Sequence, residues 1–238
     1  MHAAAPDRIR VCVNWRIPAQ DAAGTDGGRM TAPAIFDRPA DRDAELRGRP
    51  GEVRFLVVAP TRAVMIDGEG PVGETNFAPR MPGLYATAYR LRFALKRRGV
   101  VSRVGMLEGL YWTVNGSTDL DEILGPDRET WRWTLLICLP PDATDVELAA
   151  AIAAGRAKLA PEYADDLRIA TFDEGAVAQV LHLGAYAEEQ PTIERLHAAI
   201  VVAGLRPRGR HHELYLGDPR RSAPERLRTL VRQPVGPA

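Results

Sequence analysis

Cysteine is scarce in this chain: Cys12 and Cys138 are the two among 238 residues. They lie far apart and neither has a CxxC partner, which excludes a disulfide framework and a zinc site of the usual spacing. Both read as unpaired thiols in a reducing compartment. An excess of charge of one sign is also missing. Lys plus Arg number 31, and so do Asp plus Glu, giving a net charge of zero and a pI of about 7.0. Such a balance leaves no electrostatic footprint for nucleic acid. No apolar run reaches the roughly 18 residues of a membrane span, and the N-terminus lacks the hydrophobic core of a signal peptide. A phosphate loop, a GxSxG elbow and an HExxH pair are all absent. The expectation is a cytoplasmic chain with no nucleic-acid or membrane partner, no metal and no cofactor. Its oligomeric state, monomer or homodimer, is left open.

What is present divides at about residue 50. Residues 1–50 are rich in Ala, Asp, Arg, Gly and Pro with few apolar clusters, and cannot bury enough surface to offset their ordering entropy. They read as a disordered tail, apart from a weakly alternating stretch at Ile9–Ile17, and Met30 is a second candidate start. Residues 51–236 read as one domain. Val53–Ala59 and Ala63–Ile66 are strand-like. Leu84, Ala88, Leu91 and Leu95 recur at helical spacing between Pro82 and Gly99. Val101–Met106, Leu110–Val114 and Trp131–Leu139 follow as strands, with a turn at Asn115-Gly116. The order then repeats: a helix over Asp145–Leu159, strands over Arg168–Phe172 and Ala176–Leu183 broken at Glu174-Gly175, a helix from Pro191 to Gly204, and strands at His211–Leu216 and Leu227–Arg232. Two β-α-β-β modules would join into an α+β fold, with both helices on one face and a concave groove on the other.

Three clusters carry chemistry. In Met106–Trp112, strand alternation puts Glu108, Leu110 and Trp112 on one face and Tyr111 on the other. Trp131 and Trp133 share a face of the neighbouring strand. These aromatics read either as cross-strand core packing or as a box for a flat or cationic ligand. In His211–Leu216, Glu213 shares a face with His211 and Tyr215, while His212 points the other way. A carboxylate amid strand residues needs a partner or a purpose unless it faces solvent on an edge strand. The third cluster is Phe172–Gly175 with His182 and Tyr186. His182 reads first as a satisfied core histidine. Glu188 and Glu189 read as helix-start charges that favour the dipole. The stripe Tyr85, Tyr89, Phe93 reads as core against the sheet.

In order along residues 52–236, the segments VMIDGEG (Val64–Gly70), LEGLYW (Leu107–Trp112), WRWTL (Trp131–Leu135), FDEG (Phe172–Gly175), LHLGAY (Leu181–Tyr186), PTIERLH (Pro191–His197) and HHELYLGDPRR (His211–Arg221) resemble the GyrI-like small-molecule-binding family. The likeness is to its stand-alone subgroup, which includes cyclopropanoid cyclohydrolases. The resemblance implies two modules about a pseudo-twofold groove, an aromatic lining, and a central glutamate in the strand before the last, matching Glu213. It implies a hydrolase that opens cyclopropanoid or related electrophilic xenobiotics with water, serving self-resistance and detoxification. Alternatives are non-catalytic sequestration of aromatic or cationic drugs, and a gyrase-modulating interaction. The candidate catalytic residues are Glu213 as general base and Tyr111, although which tyrosine polarises the substrate carbonyl stays open. The candidate ligand-binding residues are Trp112, Trp131, Trp133, Glu174, His182, Tyr186 and Tyr215. This reading requires Glu213 to stand on the face that the helices leave free.

Overall fold

The computed structural model describes residues 35–73, 75–114 and 128–238. The expected tail over 1–34, with Met30, Cys12 and Ile9–Ile17, and the turn at 115–116 lie outside the described residues. The described strands are β1 (Phe36–Asp37), β2 (Arg54–Val58), β3 (Thr61–Glu69), β4 (Glu108–Thr113), β5 (Trp131–Cys138), β6 (Arg168–Phe172), β7 (Gly175–Leu183), β8 (Leu205–Pro207), β9 (His211–Tyr215) and β10 (Arg228–Pro237). The helices are α1 (Arg42–Glu45), α2 (Met81–Arg97), α3 (Asp145–Arg156), α4 (Pro161–Ala164) and α5 (Gln190–Val202). Local chemistry accounts for the boundaries. Thr144 and Glu147 close a capping box at the start of α3, and prolines open α2 and α5. Gly175, with φ of 64°, turns β6 into β7 where the sequence shows Glu174-Gly175.

The strands form one curled, open sheet in the order β1-β2-β7-β10-β9-β4-β5-β3-β6, with β8 paired to the end of β10. Residues opposite one another across a ladder share a face, so register assigns every side chain to a layer. Glu213 lies opposite Gly109 on one side and Val231 on the other. Tyr111 lies opposite His211 and Trp133, and Val231 opposite Val180. That face carries both long helices. Leu84, Leu91 and Leu95 of α2 pack on Val64, Ile66, Trp133, Leu135 and Ile137. Ile193, Leu196 and Ile200 of α5 pack on Ala178, Val180 and Val231.

Tyr89 and Phe93, expected in the core, are 45% and 49% exposed. Each lies roughly 120–180° around the helix from the buried leucines, which the spacing of Tyr85, Tyr89 and Phe93 among themselves does not reveal. Only Tyr85 of that stripe packs against the core.

Residues 35–50, expected in the tail, are built into the fold. Phe36 pairs with Phe55 in parallel and their rings meet edge to face at 5.9 Å. Asp41 caps α1 through the Ala44 amide at 2.7 Å. The reason this segment lacks an apolar signature is that it docks through charge. Arg42 and the buried Glu45 reach the sheet face opposite the long helices, where Arg42 donates to Glu108 at 2.6 Å and Arg232 donates to Glu45 at 2.8 Å.

Candidate functional site

Helix α2 packs over β3 and β5, and α5 over β7, β8 and β10. Between those groups lie β4 and β9. The strip of sheet between the two helices, on the helix-bearing face, is the candidate groove, with Tyr111 and His211 buried in it and Glu213 and Tyr215 part-buried. Glu213 is at its centre. The sequence reading placed the groove on the helix-free face, and the structure corrects this. The opposite face is filled by Leu181, Leu214 and Leu230 and by a buried charged cluster. The requirement that Glu213 avoid the helix-bearing face is not met. What leaves it reachable is the gap between the two helices, where its side chain retains 17% exposure.

Glu213 is held from both sides. His211 Nε2 lies 3.3 Å from Oε1, and the Tyr215 hydroxyl donates to Oε2 at 2.8 Å. Tyr215 in turn bonds the Tyr111 hydroxyl. Burial alone would raise this carboxyl, but the His211 and Tyr215 hydrogen bonds outweigh it and hold Glu213 below the ordinary carboxylate value. Aromatic neighbours would by themselves raise a carboxyl; here the hydrogen bonds decide. Burial and the Glu213 charge push the Tyr111 and Tyr215 hydroxyls up, so both are neutral donors at neutral pH.

A second carboxyl stands in the same groove. Glu189, just before α5, is 4% exposed and faces Glu213 and Thr229. Burial and the neighbouring Glu213 charge push it up to about 9. Two neighbouring carboxyls out of water cannot both ionise cheaply, so Glu189 keeps its proton while Glu213 is ionised. Sequence reasoning treated Glu189 as a helix-start charge. The dipole of α5 does favour a carboxylate there, but withdrawal from water and Glu213 decide the outcome. The one signal available was its position at the mouth of a helix after LHLGAY.

The aromatic lining is selective. Tyr186 packs edge-on against Tyr215 at 5.5 Å and is 38% exposed. Trp131 leans on Tyr111 at 5.6 Å. These join Tyr111 and Tyr215 around Glu213. Trp133 shares the face but is fully buried under α2, against Phe77 at 4.5 Å, with its Nε1 donating to the Gly70 carbonyl at 3.2 Å. His182 is a buttress: Nδ1 meets the Thr192 hydroxyl at 2.9 Å and Nε2 the Ala185 carbonyl at 3.3 Å.

Two expected ligand-binding residues are on the other face. Trp112 lies under the Arg210 guanidinium at 3.4 Å. Glu174 belongs to the charged cluster, where Arg232 donates to it at 2.9 Å and His212 Nδ1 lies 2.9 Å away. Strand alternation sets both outcomes: Trp112 follows Tyr111, and Glu174 meets His212, which follows His211. His212 Nε2 is also 3.1 Å from Glu108. Burial opposes its charge, yet Glu174 and Glu108 overcome this and raise His212. Burial is likewise outweighed at Glu108, chiefly by Arg42, and at Glu174, by His212 and Arg232, so both fall to about 2.

Comparison with known proteins places this geometry. The GyrI-like small-molecule-binding domain matches residues 137–235. An uncharacterized conserved protein from Listeria innocua is 30% identical, with 79% of this chain and 93% of that one covered and a TM-score of 0.66. Two structures of hydrolases from Listeria innocua are 25% and 26% identical. Each covers 84% of this chain, with 99% and 98% of their own lengths matched and TM-scores of 0.66 and 0.68. No curated protein sequence matches the chain.

Proposed function

This chain belongs to the GyrI-like small-molecule-binding family, and from that premise we propose that it opens flat, electrophilic xenobiotics of the cyclopropanoid class with water, as a cytoplasmic detoxifying hydrolase. We read the strand orders β4-β5-β3-β6 and β9-β10-β7-β2 as two modules about a pseudo-twofold axis between β4 and β9. The observation that carries the functional reading is Glu213, ionised and part-buried, with Tyr111, Tyr215, Tyr186 and Trp131 around it. The two Listeria innocua hydrolases add support from similarity.

The step balances on these groups. A water oxygen bonds to the ring methylene as the strained C–C bond breaks, and that electron pair moves into the dienone, leaving a phenolate. Glu213 accepts the water proton. Tyr215 donates to Glu213 and Tyr111 to Tyr215, so the tyrosine pair holds that carboxylate in place for the step. Rings at the groove edge align a flat substrate, which lowers the entropic part of the barrier. The test is incubation with a cyclopropanoid substrate and mass spectrometry of the product. Gain of one water by wild type and its loss in Glu213→Gln is the expected result. No product, or equal rates for both, removes the reading.

A second reading has one observation in its favour. Hydrogen bonds hold Glu213 below the usual carboxylate value, which weakens it as a base while suiting it to hold a cation. Under that reading an aromatic cation binds and is recovered unchanged.

A further inference from the structure

The outward face of α2 carries chemistry that neither the core nor the groove uses. From Met81 to Arg97 the helix holds the cations Arg90, Arg92, Lys96 and Arg97 and no acidic residue. At about 100° per residue, Tyr85, Tyr89 and Phe93 form a ridge along it, with Arg92 and Lys96 on one flank and Arg90 and Arg97 on the other. Ring centroids along the ridge are 6.4 Å apart at each step, and Tyr89 and Phe93 are exposed. Arg98, the next residue, is paired with Glu147 at 2.7 Å. Arg90, Lys96 and Arg97 are exposed and form no ion pair with a described residue. Val101, just past the helix, is 98% exposed. A net charge of zero hides this face, because the balancing acids lie elsewhere in the chain. The ridge starts beside the groove. Burial and then the Asp218 charge push the Tyr85 hydroxyl up. Burial, Glu189, Glu213 and Asp218 do the same to Tyr186 at the groove edge. Asp218 therefore stands near both, on the loop that carries the exposed Arg220 and Arg221.

We propose that this face of α2 docks on an anionic lipid surface, with Tyr89 and Phe93 in the headgroup layer and the flanking cations on lipid phosphates. Aromatic rings beside Arg and Lys are the composition of interfacial attachment. Single-stranded nucleic acid needs open ring faces for its bases. Here Tyr89 and Phe93 lie within 30° of parallel beside one another, and Arg92 stands 5.7 Å over the Phe93 ring. Two part-exposed rings offer roughly 200 Å² of apolar surface, well short of the apolar half of the about 800 Å² that each partner buries in a standard protein interface. Anionic lipid needs no such patch, since each Lys or Arg near its surface strengthens attachment roughly fivefold. Attachment holds the groove rim at the surface of the phase into which flat apolar compounds partition. Docking itself is independent of the hydrolytic reading.

The experiment is co-sedimentation of the full chain with phosphatidylcholine vesicles, with and without phosphatidylglycerol. Wild type is expected to sediment with the anionic vesicles and not with the neutral ones, and to be released as salt rises from about 0.05 M to about 0.5 M. Arg90→Gln combined with Arg97→Gln removes two cations and is expected to weaken attachment about 25-fold, at roughly fivefold each. Tyr89→Ser combined with Phe93→Ser is expected to weaken attachment and to leave its salt dependence in place. No attachment by wild type, equal attachment to both kinds of vesicle, or attachment unchanged in either double variant overturns the docking. Tighter binding to oligothymidine than to the anionic vesicles also overturns it, by assigning the face to nucleic acid. If a double variant does not fold, the salt titration of wild type decides alone, and attachment insensitive to salt overturns the docking. Every one of these outcomes leaves water addition at Glu213 to be judged by its own assay.

Discussion

Replacing Arg232 by Met tests whether the charged cluster behind the groove anchors residues 35–50. The guanidinium is 0% exposed and donates to Glu174 at 2.9 Å, to Glu45 at 2.8 Å, and to Gln179 at 3.1 and 2.7 Å. Methionine keeps much of the volume and removes every donor, leaving two buried carboxylates with one cation fewer. Two routes give the magnitude. Glu174 is held at about 2 against its ordinary 4.5, which is worth about 3 kcal/mol, at about 1.4 per pKa unit. Arg232 shares that with His212, so its part is about 1–2 kcal/mol. The charge-assisted bonds to Glu45 and Gln179 add about 1.5–3 kcal/mol. The sum matches the roughly 3–5 kcal/mol for breaking a buried pair from one side. The pH dependence has a definite sign. A carboxyl depressed by folding stabilises above its unfolded value of 4.5, and loses that as pH falls through about 2. The gap between wild type and Arg232→Met is therefore full at about pH 7 and narrower at about pH 3. Urea unfolding at the two pH values measures it. A loss below about 1 kcal/mol at neutral pH, or an equal gap at both, would refute the reasoning.

Two further outcomes follow from the same contacts. His212 is raised by Glu174 and Glu108, so its contribution is complete below its unfolded value near 6.5 and fades as pH climbs through the folded value; urea midpoints from about pH 6 to about pH 9 should decline in wild type and lose that component in His212→Gln. A decline identical in both would show that His212 is not the titrating group. Gly155 of α3 sits where a Cβ would come 2.0 Å from the Thr87 hydroxyl and 2.7 Å from the Gly83 carbonyl. Gly155→Ala should cost about 1–3 kcal/mol by overpacking, more than the roughly 1 kcal/mol gained in helix propensity. A melting temperature unchanged or raised in calorimetry would contradict the close approach of α3 to α2.

Much of the domain was legible because its elements obey simple periods. Leu84, Leu91 and Leu95 mark α2 by spacing alone, and β-branched runs between turn residues mark β3, β5 and β7. Opposite directions for His211 and His212 follow from alternation, and each histidine does meet a different carboxylate: Glu213 on the helix-bearing face, Glu174 and Glu108 on the other. The docking of residues 35–50 was not legible. Its anchors are Arg42 and Glu45, charged residues in a polar stretch, and their partners Glu108 and Arg232 lie 66 and 187 residues away. Hydropathy counts such a segment as tail, since the pairing that makes its burial tolerable is invisible along the chain.

The same asymmetry explains the groove. Alternation tells which residues share a face with Glu213, but not whether that face is covered. Coverage depends on how far apart α2 and α5 sit, and that distance is set by the strands inserted between theirs. Pairing β4 with β9 at the centre of the sheet puts those two strands between the strands that carry the helices. A residue on the helix-bearing face can therefore be reachable at the centre of the sheet and unreachable two strands away, as Glu213 and Trp133 are. Glu189 follows from this too. The residue that begins α5 sits at the edge of the gap, so its carboxyl reaches the strip that the helix body does not cover. Helix-start chemistry would assign it a stabilised negative charge. Its seat against Glu213, out of water, makes it instead the group that keeps a proton.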